Sequence, residues 1–467
     1  MSEHYEAQIE LPVSIENAFA YHDRPGALQR LIPPWENVRI EQQAGSLEPG
    51  SRVVLVTRIG VIPVRWVAEH TAYEPPQRFA DRQVSGPFAL WEHEHRFESS
   101  SGHENSRLID SIAYRLPLGA LGGVFGGGQA LRTIEAMFAY RHRVTRDDLS
   151  LLEKYKLEPK TIAVSGASGL VGKNLCAMLR LLGHRVLRIV RRPEESEDTI
   201  AVWDQPSDAK RLGECDFVIH LAGKSIASGR WNESIKREIR DSRVVKTQKL
   251  AQTIADLDGD RPDLICASAT GIFGDRGDEV LTEATPIADD FLASVAEEWE
   301  AACDPARQAG CRVVNARFGI VLDPNDGALQ KCLLPAKFFG GALGNGKQYW
   351  SWIALDDVLG GLYHCMANEG LSGPVNFTSP QPLQNSQFAK TLAKVLSRVA
   401  LFPAPAFALR LALGEMENGW LLASTRVEPR KLIDSGYSFR FQDLETFLRY
   451  ALGKDKKPNQ YGAPENR

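Results

Sequence analysis

The chain has 467 residues, of which 43% are hydrophobic, 24% charged and 8% aromatic. That composition is globular and excludes a disordered, collagenous or coiled-coil chain; at roughly 150 residues per domain it leads us to expect two or three folding units. Against 59 acidic residues stand 55 basic ones, a net charge of −4, so nothing global favours nucleic acid or an anionic membrane. No run of about 18 apolar residues marks a spanning helix, and the polar, acidic start does not read as a secretory signal. Seven cysteines with no Cys-x-x-Cys pair read as buried thiols of a reducing compartment, so a cytoplasmic protein is expected.

Residues 5–11, 52–58, 61–69, 79–84, 90–98 and 107–114 alternate with period two, as half-buried strands do. Between the first two, residues 14–32 read as helix opened by Ser14 as N-cap. Gly119 to Gly128 read as a glycine-rich turn, and residues 129–144 place Leu131, Ile134, Met137 and Phe138 at helical spacing. The order is strand, helix pair, antiparallel strands and a long final helix, so residues 1–150 are expected to form one α+β unit. A curved sheet gripping one helix leaves a cavity between them. Trp91, His93, His95 and Phe97 share one strand face, because side chains two apart point the same way. His-x-His can ligate a metal, but no third ligand is evident, so these residues read as lining a sheet face and no metal is expected. Residues 1–150 contain no lysine, which excludes a Schiff-base lysine there.

Residues 143–160, charged and carrying Pro159, read as the end of the long helix and a connector, and after them the pattern changes. Residues 161–165, 185–190, 217–221, 264–268 and 312–316 read as strands, and 170–182, 235–254 and 291–309 as helices. Such alternation implies a parallel sheet covered on both faces, a doubly wound α/β domain. The first strand runs into Gly166-Ala-Ser168-Gly169-Leu170-Val171-Gly172 and a helix. Gly166 permits the tight turn, Gly169 lets the backbone approach a pyrophosphate, and Gly172 lets the helix sit close on the strand. The helix N-terminus offers unpaired N–H groups to phosphates. A glycine triplet between strand and helix, at the head of a βαβ run, reads as a dinucleotide site. The second strand runs into Arg191 and Arg192, with no acid before Glu194. Two guanidiniums suit a ribose 2′-phosphate, so NADP is expected over NAD. The next strand ends in Leu221, Ala222 and Gly223, where small residues let the backbone lie near the cofactor's ribose. Residues 453–467 are polar and read as a flexible tail.

The element order over residues 1–148 resembles the START-like, polyketide cyclase-type (SRPBCC) domains, which implies a helix-grip fold and an apolar small-molecule ligand. The glycine triplet, His220-Leu-Ala-Gly223, Ser268-Ala-Thr-Gly-Ile-Phe-Gly274, Arg317-Phe-Gly-Ile-Val-Leu322 and Gly344-Asn-Gly346 leading to Trp352-Ile-Ala-Leu-Asp-Asp357 resemble the extended short-chain dehydrogenase/reductase superfamily. More narrowly, Arg230-Trp231, Arg240-Asp-Ser-Arg243, residues 274–283, residues 291–300 and Ser351-Trp-Ile353 look like its atypical "epimerase family", NAD-dependent epimerase/dehydratase-like proteins. Residues 410–416 and 430–436 resemble that branch's C-terminal extra module. The resemblance covers 161–452 and implies an NADP-binding Rossmann domain over 160–452, with a small C-terminal substrate lobe at about 375–452. A START-like domain before it is a known arrangement of the branch.

The superfamily's usual chemistry uses Tyr-x-x-x-Lys on the helix after the fifth strand, plus a Ser or Thr at that strand's end. Here that helix begins at Phe291 with Val295 four residues on, and the Ser/Thr position falls on Ala269, flanked by Ser268 and Thr270. Three readings follow. The first is a redox or epimerising enzyme on a small carbonyl or hydroxyl compound with another proton donor; Lys224, Asp275, Arg276, Glu279 and Tyr349 are the candidates. In that reading Arg426 and Arg430 clamp an anionic substrate, cap a helix or sit in solvent. In the second, the substrate supplies its own proton path and the chain contributes geometry and exclusion of water. The third is a non-catalytic NADP(H)-binding sensor with the first domain as ligand or partner module. The substrate lobe, not needed by a pure sensor, weighs toward an enzyme.

Overall fold

A computed structural model describes residues 2–43, 46–59, 62–100, 104–117, 119–194, 196–203, 206–227, 229–413 and 421–455. The tail expected at 453–467 lies outside the described residues from 456 onward, as do residues 414–416 of the module segment at 410–416. The chain divides into two compact units, the first chiefly Met1–Lys156 and the second Leu157–Cys176 with His184–Arg449. Among the described residues no helix is long and apolar enough to cross a membrane.

The first unit runs β1 (Glu3–Leu11), α1 (Ile15–Asp23), α2 (Ala27–Leu31), β2 (Arg39–Gln43), β3 (Arg52–Ile59), β4 (Ile62–Glu74), β5 (Arg78–Ser85), β6 (Leu90–Ser99), β7 (Ser106–Arg115) and α3 (Gly119–Tyr155). Its seven strands form one sheet in the order β1-β7-β6-β5-β4-β3-β2. Every pairing in it is antiparallel. Period-two alternation buries one face of this sheet, and α3 crosses that face. On α3, the Phe138 ring lies 5.9 Å from Tyr5 and 5.2 Å from His93. Trp66, Phe88, Trp91 and Tyr114 pack into the same cluster. This is the helix-grip arrangement.

The helix pair expected over 14–32 is present, parted where Arg24 precedes Pro25 and takes the extended conformation (φ −69°, ψ 147°) that a following proline imposes. Ser14 does cap the first, accepting from Asn17 N at 3.5 Å. The stretch Gly119 to Gly128, expected as a turn, is helical. A glycine costs a helix only about 1 kcal/mol relative to alanine, and elongation from an established helix adds one bond per residue fixed. The polar strand β2 carried too little alternation to be read.

The second unit opens with β8 (Thr161–Ser165), α4 (Leu170–Leu181), β9 (Arg185–Ile189), β10 (Thr199–Ile200), β11 (Phe217–His220) and β12 (Asp263–Ala269). With the later strands Val313–Phe318 and Gly373–Phe377, these form a parallel sheet ordered β10, β9, β8, β11, β12, Val313–Phe318, Gly373–Phe377. All four residues of β11 are buried, as expected of a strand covered on both faces. Strand order reverses between β8 and β11, where sheets of this kind open a crevice beyond the strand C-termini.

Two expected long helices are broken. Residues 235–254 form Glu233–Asp241 and Val244–Ala255, parted at Ser242, whose Oγ accepts Lys224 N at 3.0 Å. Residues 291–309 form Phe291–Ala301 and Asp304–Gln308, with Pro305 in the first turn of the second. Proline has no N–H to continue the preceding helix. Later segments return to earlier ones. Leu383–Gln384 pairs with Tyr349–Trp350, Phe402–Ala404 with Gly340–Leu343, and Arg426–Val427 with Val280–Leu281.

Candidate functional site

The crevice end of the second sheet is built around β8. Gly166 follows it with φ 69°, and a methyl carbon there would stand 2.9 Å from Ala222 N and from the Leu221 carbonyl. A methyl carbon on Gly172 would collide with the Gly166 carbonyl, 2.8 Å from its carbon. Both positions therefore exclude any side chain. Gly169 N donates to Gly166 O at 2.9 Å and closes the turn. Gly169 and Ser168 are exposed, while Leu170 and Val171 are half-buried at the start of α4. The first-turn N–H groups have no partner within a helix and carry its positive end.

One hydroxyl ties two strand ends together. Ser165 Oγ accepts from Leu221 N at 3.1 Å and Ala222 N at 3.3 Å. Its own proton then goes to His220 Nδ1, 2.6 Å away. This places the histidine's hydrogen on Nε2, which is buried without a partner among the described residues. Burial, reinforced by the nearby Lys246 charge, pushes the ring's pKa down to about 4.

Parallel register sets Ser165 beside Ile189 and beside His220. Arg191 and Arg192 therefore leave the same edge as the glycine turn, and both are exposed. The next acid, Glu194, is held by Arg188 at 3.1 Å. Behind Gly223 lies Arg243, whose guanidinium carbon would be 3.4 Å from a methyl on that glycine. Arg243 donates to Ile239 O at 3.0 Å and rests 5.1 Å over the Trp299 ring. Burial lowers its pKa to about 10.

The proton-donor candidates separate. Lys224 Nζ is paired with Glu238. Asp275, Arg276 and Tyr349 come together around Ser424. Asp275 Oδ1 accepts from Ser424 N at 3.2 Å, Arg276 N donates to Ser424 O at 3.0 Å, and Tyr349 N donates to Ser424 Oγ at 2.9 Å. The Arg276 side chain donates to Phe273 O (3.1 Å) and Pro286 O (2.9 Å), and its Nη1 stands 3.5 Å from Glu279. Arg426 lies 5.1 Å over the Tyr349 ring, and Arg430 pairs with Glu428 at 2.8 Å.

The sequence matches the NAD dependent epimerase/dehydratase family over residues 162–376, the polyketide cyclase / dehydrase and lipid transport family over 11–138, and a domain of unknown function (DUF1731) over 404–451. An epimerase family protein of Mycobacterium bovis is 39% identical over 295 residues, which cover 97% of that protein and 62% of this chain. The chain belongs to the epimerase family. The solved nucleoside-diphosphate sugar epimerase from Corynebacterium glutamicum is similar across both units, at 31% identity and a TM-score of 0.78, covering 96% of this chain and 90% of that one. Human SDR39U1, solved with NADPH, is 28% identical with a TM-score of 0.58, covering 62% of this chain and 99% of that one.

In this epimerase-family chain Phe291 is enclosed by the Trp231 ring and the Lys236 ammonium, each 5.3 Å away. Val295 is buried. Beside Ala269, Ser268 donates to Glu300 at 2.7 Å, and Glu300 grips Arg317 through bonds of 2.8 and 2.9 Å. Thr270 donates to Phe318 O at 3.3 Å. Arg243 acquires a place beside Gly223 that sequence reasoning did not assign. It lies in a motif noted for its likeness alone, just after the helix break at Ser242.

The first unit corrects one expectation about ligands. His93 and His95 do share a face, and further donors stand beside them. In the antiparallel register Asp81 faces His93 and Asp110 faces His95. His93 Nδ1 is 3.3 Å from Asp81 Oδ2, and its Nε2 is 3.1 Å from Asp110 Oδ1. From α3, His142 Nε2 reaches Asp110 Oδ2 at 2.5 Å. The His22 ring from α1 lies 5.8 Å from that of His95. His70 Nδ1, near Asp81, is buried with no hydrogen-bond partner among the described residues. Burial alone would raise the Asp110 carboxyl, but the surrounding histidines hold it well below the usual range. Burial lowers His93 as well, yet hydrogen bonds to Asp110 and Asp81 outweigh it and raise its pKa to about 9.

Proposed function

We propose that the second unit binds NADP(H). Gly166, Ser168, Gly169, Leu170, Val171 and Gly172 would hold the pyrophosphate, Arg191 and Arg192 the 2′-phosphate, and Leu221, Ala222 and Gly223 the ribose side. The observation that carries this reading is the glycine turn at the strand-order reversal, where two positions reject a Cβ and exposed backbone opens the first turn of α4. The residues fit such a group, since the acid nearest the two arginines is already engaged by Arg188. Bound NADP(H) supplies hydride chemistry; the chain's own residues bind it, orient it and exclude water. We infer an oxidoreductase or epimerase acting on a small carbonyl or hydroxyl compound without the Tyr–Lys pair. The likeness to the Corynebacterium glutamicum protein makes nucleoside-diphosphate sugars the first substrate class to try. Seven free thiols favour a reducing, cytoplasmic setting.

A second reading, an NADP(H) sensor without turnover, is favoured by the engagement of Lys224, Asp275 and Arg276 with their neighbours. Fluorescence titration should show NADPH bound more tightly than NADH, and Arg191→Ala should weaken NADPH by about 10–100-fold, the loss of one charge-assisted contact, while leaving NADH unchanged. Equal binding of the two coenzymes by the wild type would remove the NADP assignment. Incubation of NADPH tritiated at C4 with nucleotide sugars and cell extract then separates the readings. Label in a product supports a reductase, and interconversion of a nucleotide sugar with its epimer in the presence of NADP⁺ supports an epimerase; the absence of both supports the sensor.

A further inference from the structure

We propose that the inner sheet face of the first unit is a binding site for one divalent transition-metal ion of the zinc class, with Asp81, His93 and His95 as ligands and Asp110 and His142 as positioning residues. Nothing in the reading of the second unit requires it. One donor atom from each of Asp81, His93 and His95 lies within 4.8 Å of the other two. Ligands about 2.1 Å from a tetrahedral ion stand about 3.4 Å apart, so small side-chain movements complete the geometry. Two imidazoles with a carboxylate suit a transition ion rather than calcium or magnesium, which take oxygen ligands.

The surroundings support a cation. His95 Nδ1 stands 2.5 Å from Asp110 Oδ1. Two carboxylates, Asp81 and Asp110, stand beside the two imidazoles. Asp110 is anchored by His142 from the helix side, the carboxylate–histidine support that orients metal ligands. The ligands come from β5 and β6, rigid neighbours in one sheet, so the site is preorganised by strand pairing.

The test uses the full chain without a histidine tag, stripped with chelator and dialysed. Calorimetric titration with zinc chloride should show one equivalent bound with sub-micromolar affinity, and the Co²⁺-loaded protein should show visible absorption of low-symmetry coordination. Asp81→Asn and His95→Gln should each weaken binding by at least about 100-fold, and Asp110→Asn by about 10–100-fold. Circular dichroism shows that each variant folds, and the wild-type Co²⁺ spectrum needs no variant at all. Absence of zinc binding by the folded wild type overturns the proposal in favour of a protonated His93 bridging two carboxylates. Binding that survives both ligand substitutions unchanged overturns it equally, because the ion then sits elsewhere. NADPH titration of the same variants should be unaltered, which keeps this result separate from the assignment of the second unit.

Discussion

The crevice edge of the second unit and the sheet face of the first hold their polar groups by opposite means. At the crevice the atoms on offer are backbone N–H groups, and the decisive side chains are the ones absent at Gly166 and Gly172. On the sheet face the side chains themselves, Asp81, His93, His95, Asp110 and His142, are the groups on offer, each standing within 3.3 Å of a carboxylate or imidazole partner. The first kind of site tolerates no added carbon. The second tolerates no lost partner, because an uncompensated buried charge costs several kcal/mol. Both follow from strand direction. Parallel strands gather their C-termini at one edge, whereas antiparallel neighbours set side chains directly opposite one another.

The sharpest test of the contrast is one added side chain. Gly172→Val should weaken NADPH binding by more than about 100-fold in a fluorescence titration, since backbone must move to admit the branch. Binding within a few-fold of wild type would mean the turn is not built as described. The complementary test removes a partner in the first unit. Asp148 accepts from Arg30 twice and from Tyr21 once, each at 2.9 Å, with both charged side chains almost wholly buried. Asp148→Ala should cost about 3–5 kcal/mol, read in urea as a shift of the first unit's unfolding transition; a cost below 1 kcal/mol on that order-of-magnitude scale would break the rule of the lost partner.

A fall in pH gives the next test, on the second unit. The folded-state pKa of His220, about 4, lies below its ordinary 6.5. Below pH 6.5 the unfolded chain gains a proton that the folded one refuses, so this stability is present above 6.5 and is lost as pH falls toward 4. The full loss is about 3 kcal/mol. His220→Asn should flatten that part of the pH–stability profile, and an unchanged slope would show that the ring titrates freely. The smallest effect belongs to Ser268→Ala. It removes one hydrogen bond to Glu300 while leaving the Glu300–Arg317 pair, and should cost about 1 kcal/mol in the same denaturation experiment.

Strand periods, the cap at Ser14, the glycine triplet and the strand–helix alternation were all legible in the sequence, because each is a local property of the chain. The likeness of motif and module also pointed to the right family. Other features were decided only by tertiary structure. Helix 235–254 breaks at Ser242, whose Oγ accepts Lys224 N, eighteen residues earlier in the chain. Lys224 looked available as a proton donor until Glu238 was brought beside it. His93 and His95 announced a shared face, but their carboxylate neighbours lie on the flanking strands β5 and β7, and only the register sets Asp81 and Asp110 opposite them. Periodicity and turn chemistry depend on a few adjacent residues. Which side chains meet across a sheet or under a turn depends on how the whole chain closes, and that closure also settles which charges are paired.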